Sequence, residues 1–225
     1  MALLNNIKAV IYDLDGTIIN TERLHQEAWE LTSIRFNLGF SGDELYLASK
    51  GISSKKTLEN MLPQDRYDII AEVAERKFRY FMEIIESSTI DFLPGFMETF
   101  ETLRRYDLKL GICTSARKEN VEVLQRNKNS EISSVLDYLN GKVAWQEMFN
   151  EGKPAAEPLL MALSMVDADA TDTIYIGDGF ADYQCAQYAA VKEFVYFWDG
   201  VCAVESRIPD TITRMSDHRE LLKLL

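Results

Sequence analysis

The strand-like segments of this chain are near-continuous apolar runs and do not alternate with polar residues. Lys8–Leu14, Leu108–Thr114, Thr173–Gly177 and Phe194–Phe197 read this way, and a weaker run lies near Val135–Leu139. A strand with one wet face alternates apolar and polar residues, whereas a strand covered on both faces does not. Such segments belong in a parallel sheet flanked by helices. Helical patterning falls between most of them, at about Gly95–Arg105, Lys118–Asn127, Ala155–Met165 and Ala181–Ala190. Strand and helix in alternation specify an α/β class with a doubly wound parallel-sheet core.

One interval breaks the rhythm. Between Thr17 and Phe92 only helical spacing is found, as in Leu24, Ala28 and Leu31, and again in Ile69, Ile70, Val73, Phe78, Phe81, Ile84 and Ile85. Gly39-Phe40-Ser41-Gly42 and Leu62-Pro63 punctuate it as turns. That length exceeds what a single crossover needs. The expected organisation is a core made of residues 1–17 and 92–225, with an inserted α-helical domain at 18–91. Its hinges are expected at Gly16–Asn20 and Ser87–Gly95.

The first strand ends in AVIYDLDGTII, where Asp13 and Asp15 lie two residues apart and so face the same side. Burying two carboxylates there is costly unless they are paired, hydrogen-bonded or bound to a metal. Open α/β sheets bind ligands beyond the carboxyl ends of their strands. The same edge collects Thr114 and Ser115 from GICTSARKENV, Lys153 from EGKPAAEP, and Asp178 and Asp182 from YIGDGFADYQ. Four carboxylates against one lysine leave surplus negative charge at close range. A divalent cation with oxygen ligands resolves it, and Mg2+ suits a site that also takes substrate phosphate. Thr114, at the start of a helix, and the Lys153 ammonium suit an anion. Asp13 can then act as a nucleophile that forms an aspartyl-phosphate. Asp15 can act as general acid and base.

Bulk properties exclude other classes. With a net charge of −12, the chain is a poor ligand for nucleic acid or an anionic membrane. No apolar run approaches the ~18 residues of a membrane span. MALLNNIKAVIYDLDG does not read as a signal peptide. Cys113, Cys185 and Cys202 lack zinc-site spacing and read as free thiols of a reducing compartment, so the expected location is cytoplasmic.

The ordered set of DLDGT, a Thr/Ser after the second strand, a Lys, and a GD-xxx-D acid motif resembles the haloacid dehalogenase (HAD)-like hydrolase superfamily. The resemblance covers essentially the whole chain. The helical insert directly after DLDGT resembles the C1 cap of the phosphoglycolate phosphatase and β-phosphoglucomutase-like branch. It implies a Rossmannoid core with the insert as a cap. It implies Asp13 as nucleophile and metal ligand, and Asp15 as acid/base with its backbone carbonyl on the metal. Thr114, Ser115 and Lys153 are implied for substrate, with Asp178 ligating Mg2+ and Asp182 supporting it. His25, in TERLHQEAW, and Lys50, in ASKGIS, stand where relatives carry substrate-facing residues. Asn20, Ser115 and Gly179 depart from the common pattern, where Asp, Asn and Ser respectively are frequent.

The function so implied is a magnesium-dependent phosphatase acting on a small phosphorylated metabolite such as a phosphoglycolate- or sugar-phosphate-like ester. The nearest alternative is a β-phosphoglucomutase-like sugar phosphomutase, toward which His25 and Lys50 pull and from which Asp182 pulls away. A dehalogenase is disfavoured by Asp15 with Asp178 and Asp182. A phosphonatase would need a cap lysine such as Lys50, Lys55 or Lys56. A non-catalytic phosphate-binding regulator is the alternative from another class. A monomer is expected, with a dimer as the other option. His218, in SDHRELLKLL, is expected only to be part of the last helix.

Overall fold

The computed structural model describes residues 7–198 and 205–224. Among these residues six parallel strands form one sheet in the order β3-β2-β1-β4-β5-β6. They are β1 (Ala9–Tyr12), β2 (Lys109–Cys113), β3 (Val143–Ala144), β4 (Thr173–Gly177), β5 (Glu193–Phe197) and β6 (Thr213–Met215). Strand β1 sits between β2 and β4, with Ala9 in register with both Lys109 and Thr173. All four residues of β1 are buried, as are all five of β4. Their unbroken apolar character is thus the signature of two covered faces. Each buried Val or Ile contributes roughly 1.5–3 kcal/mol of transfer free energy.

Helices α1 (Glu22–Phe36), α2 (Gly42–Ser49), α3 (Ser54–Met61) and α4 (Ile70–Ser87) fall between β1 and β2. Ser41 caps α2 in a capping box with Glu44, and Ser53 caps α3. These helices share a core of their own around Trp29, Leu45, Leu58 and Val73. The α/β body holds two further apolar clusters, one on each face of the sheet. Helix α5 (Phe96–Arg105) follows, and then α6 (Lys118–Leu124), α7 (Ser130–Tyr138), α8 (Glu157–Met165) and α9 (Phe180–Tyr188). No helix among the described residues is long and apolar enough to cross a membrane.

Three sequence expectations need correction. The weak strand expected near Val135–Leu139 lies in α7 and its C-cap. Ile132, Val135, Leu136 and Leu139 are all buried, a spacing of three, four and seven that belongs to a helix. The third strand is instead the two-residue Val143–Ala144, too short to carry a pattern. Strand β6 was not expected, because Thr213 and Arg214 interrupt its apolar character. Helix α6 ends at Leu124, earlier than the periodicity suggests. Cys202 lies outside the described residues, while Cys113 and Cys185 are buried free thiols.

The two connections between sheet and helical insert run side by side. Ile19 bridges Phe92 in antiparallel fashion, flanked by Asn20 N–H to Asp91 O and Leu93 N–H to Ile18 O, each 2.9 Å.

Candidate functional site

Asp13 and Asp15 leave β1 in a loop closed by Gly16 at φ +77°. A Cβ at Gly16 would stand 2.5 Å from Asp178 Oδ2, so only glycine lets this loop approach the end of β4. From β4 come Asp178 and, one turn into α9, Asp182. Asp13, Asp178 and Asp182 are all buried, with a carboxylate oxygen of each within 4.8 Å of the others. Lys153 reaches between them from the loop before α8, its side chain fully buried. Its Nζ donates to Asp13 Oδ1 at 2.6 Å and to Asp182 Oδ1 at 2.7 Å. Tyr175 Oη also donates to Asp182 Oδ1 at 2.6 Å, and Gly179 N–H donates to its Oδ2 at 3.1 Å. Asp182 therefore caps α9 and orients the lysine in one act.

The electrostatics follow. Burial pushes the Asp13 carboxyl well up, and Asp182 and Asp178 add to this against the opposing pull of Lys153. Asp178 is raised by burial and by Asp182, and Lys50 opposes that shift. Burial would lower the Lys153 ammonium, but Asp13 and Asp182 outweigh it and hold it well above the ordinary range. The three carboxylates thus outnumber the two lysines, Lys153 and Lys50, that contact them.

Asp15, two residues on, has different partners. Thr21 Oγ1 donates to its Oδ1 at 2.7 Å, and His25 Nε2 lies 3.4 Å from the same oxygen. Lys77 Nζ donates to His25 Nδ1 at 2.7 Å. The line Lys77–His25–Asp15 therefore runs from α4 through α1 to the loop. The His25 ring stacks on Phe81 at 4.1 Å, and Lys77 lies over the rings of Trp29 and Phe81. Burial would raise the Asp15 carboxyl, but the His25 bond and charge, aided by Thr21 and Lys77, bring it below its usual value. Burial and the Lys77 charge lower His25. Burial lowers Lys77 to about 7, with Arg117 assisting against the pull of Asp15.

A cavity of about 120 Å³ opens between the sheet edge and the insert. Asp13, Asp15, His25, Lys50, Thr114, Ser115 and Asp178 all line it, so the structure brings these expected residues to one place. Lys153 and Asp182 lie beneath, against Asp13. Lys50 Nζ sits 3.0 Å from Asp178 Oδ2. Ser115 Oγ donates to Gly51 O at 2.9 Å. Neither Thr114 nor Ser115 caps α6: Thr114 Oγ1 accepts from Ala116 N–H, and Asn120 Oδ1 accepts from Arg117 N–H. Sequence reasoning missed Lys77, Arg117 and Tyr175. Lys77 was detectable as a lysine on the buried stripe Val73, Ala74, Phe78 and Phe81 of α4. Arg117 pairs with Glu75 at 2.6 Å and packs 4.2 Å from the Phe78 ring, tying the α6 loop to α4.

The donor set fits a hard divalent cation. The crowded, buried carboxylates are oxygen donors with surplus charge, and Gly16 removes the Cβ that would fill the approach to Asp178.

Comparison with known proteins gives a consistent picture. Residues 10–196 match the family model described as haloacid dehalogenase-like hydrolase. The chain is 25% identical over 194 residues to the pyrophosphatase PpaX of Oceanobacillus iheyensis, covering 86% of this chain and 85% of that protein. It is 28% identical over 192 residues to the β-phosphoglucomutase of Bacillus subtilis, covering 82% and 81%. Its fold is similar to that of a hydrolase from Pseudomonas syringae (TM-score 0.78, 21% identity, 96% of each chain). CbbY from Rhodobacter sphaeroides, solved with phosphate, is also similar (TM-score 0.74, 20% identity, 96% of each chain).

Proposed function

Because this chain belongs to the haloacid dehalogenase-like hydrolases, we propose that it is a magnesium-dependent phosphatase of a small phosphorylated metabolite, working through an aspartyl-phosphate on Asp13. One observation carries this reading. Three buried carboxylates crowd together with Lys153 between two of them and Lys50 on the third, while Asp15, on the loop of Asp13, has its own line of proton partners.

In this reading Asp13, Asp178 and the Asp15 backbone carbonyl would hold Mg2+, with Asp182 supporting through Lys153. When bound, the cation neutralises carboxylate and phosphoryl charge. Lys153 fixes the rotation of the Asp13 carboxyl by taking Oδ1, and it adds positive charge where phosphoryl oxygens sit. Asp13 attacks phosphorus as the bond from phosphorus to the ester oxygen breaks, and that oxygen takes a proton through Asp15, which is ionised at rest and receives it from Lys77 by way of His25. Water then attacks the phosphorus, its proton passes to Asp15, and the bond to Asp13 breaks. Thr114, Ser115 and backbone N–H groups of the α6 loop receive the phosphoryl oxygens. The 18–91 insert acts as a cap that excludes water during the first half. The buried Cys113 and Cys185 thiols suit a cytoplasmic location.

Phosphate release from a panel of small phosphate esters and inorganic pyrophosphate tests the reading. The relatives named pyrophosphatase put pyrophosphate in the panel. Release that requires magnesium and disappears in Asp13→Asn is the expected result. No release from any ester, with or without magnesium, defeats it.

A second reading, a sugar phosphomutase, is favoured by the Lys77–His25–Asp15 line. Because two of its three members come from the insert, Asp15 gains its proton partners only when the insert is seated, which suits a second substrate hydroxyl in place of water. An isomerised sugar phosphate without free phosphate would select it.

A further inference from the structure

We propose that His218 is a positioning residue that fastens both connections between the sheet and the helical insert, and through them the loop that carries Asp13 and Asp15. The antiparallel pairing of those connections stops abruptly at its sheet end. Leu93 N–H donates to Ile18 O, but the next residue is Pro94, which has no N–H. Ile18 N–H is turned inward to Leu14 O at 2.9 Å. The ladder therefore supplies no donor to the carbonyls of Thr17 and Pro94. An unsatisfied buried carbonyl is costly, and here it would loosen the point where both chains enter the core.

One residue serves both carbonyls. His218 begins the C-terminal 3-10 helix His218–Lys223. Its backbone N–H donates to Pro94 O at 2.9 Å, and its ring Nε2 lies 2.7 Å from Thr17 O. Thr17 O can only accept, so the ring carries its proton on Nε2. The residue is fully buried, stacked on Phe197 at 4.5 Å and edge-on to Phe96 at 5.3 Å. Its Nδ1 is buried without a partner. A phenylalanine would fill this aromatic slot without that penalty, so what histidine adds is the Nε2–H. Upstream, Asp217 takes Arg219 N–H at 2.9 Å and Glu220 returns to Asp217 N–H at 3.1 Å, which fixes the start of the helix. Thr17 adjoins Gly16, so the grip is applied to the loop of the two acids. Motion of the insert then pivots beyond the fastener, at 18–20 and 91–93.

The test compares amide hydrogen exchange in wild type, His218→Phe and His218→Gln. His218→Phe keeps the packing and removes the donor; His218→Gln keeps a donor. The expected result is about tenfold faster exchange at Asn20 and Leu93 in His218→Phe, with β1 and β4 amides unchanged and His218→Gln close to wild type. Equal acceleration everywhere means that the ring only stabilises the core, and no change means that it holds nothing; either overturns the proposal. Should His218→Phe not fold, His218→Asn, whose amide is too short to reach Thr17, replaces it with the same expectations. The kinetic counterpart rests on the phosphatase reading: kcat in His218→Phe falls about tenfold, more than 1/KM, and recovers in His218→Gln. Wild type without phosphatase activity would defeat that reading while leaving the exchange result to judge His218.

Discussion

Asp13 and Asp15 share one loop, yet opposite forces act on them. The partners of Asp13 come from the sheet body: Lys153 before α8, Asp178 after β4 and Asp182 in α9. The main partners of Asp15 come from the insert: His25 on α1 and, behind it, Lys77 on α4. The first set is fixed when the sheet forms. The second exists only while the helices lie over the site. One carboxyl is raised by crowding and burial, and the other is lowered by a histidine from the opposite side of the cavity. Two acids two residues apart are thus pushed in opposite directions by partners from different parts of the molecule.

The sharpest way to break this comparison is to remove each carboxyl in turn. Asp13→Asn is expected to abolish turnover, by about 10⁴-fold or more, because no other group can take the phosphoryl. Asp15→Asn is expected to lose about 10²–10⁴-fold, the worth of a general acid and base. Equal losses, measured as kcat on the best substrate, would mean that the two do not differ in role.

Lys153→Met probes the sheet-side set alone. It leaves Asp13 and Asp182 buried without the cation they share, at a cost of about 3–5 kcal/mol in unfolding free energy. Magnesium should restore part of that loss in urea titrations. A variant as stable as wild type with EDTA present would show that the cluster is not strained by its charge.

The insert side has the smaller effects. Lys77→Met should lower kcat by about tenfold through the loss of the donor to His25. It should also raise stability, since a buried ammonium is replaced by an apolar chain. The sign follows from the shift. Lys77 is lowered to about 7 in the folded protein, from 10.5 unfolded. Below about pH 7 both states hold the proton and the full cost of burying the charge is felt. From pH 7 to 10.5 the unfolded state binds more protons, so this group's contribution to stability rises with pH. The advantage of Lys77→Met should therefore be on the order of 2 kcal/mol at pH 6 and vanish toward pH 10.5. An advantage that does not vary with pH would place its cause in packing.

The sheet side of the comparison was legible in the sequence, and the insert side much less so. Asp13, Asp15, Lys153 and Asp178 fall at ends of recognisable strands or in the loops next to them, and the parallel sheet carries them to one edge by topology alone. Lys77 and Arg117 depend on how α4 packs against α1 and the α6 loop, which no spacing states. Lys77 announced itself only as a charge on an apolar stripe. His218 was read as a helix residue because its partners, Thr17 O and Pro94 O, are backbone atoms about 200 and 120 residues away, and backbone carbonyls leave no mark in a sequence. Strands β3 and β6 escaped for a simpler reason, being too short or too polar to show a period.

The strand order has a consequence for synthesis. β1 leaves the ribosome first, but its neighbours are residues 109–113 and 173–177. The nascent chain must wait for most of its length before the Asp13–Gly16 loop has walls, since contacts so distant in sequence are slow to close. Until then DLDGT is an exposed acidic turn with no lysine, no second acid cluster and no histidine fastener behind it. A truncated or stalled product therefore carries the most recognisable motif of the chain and none of its chemistry. The loop made among the earliest residues is thus walled in only by residues made much later.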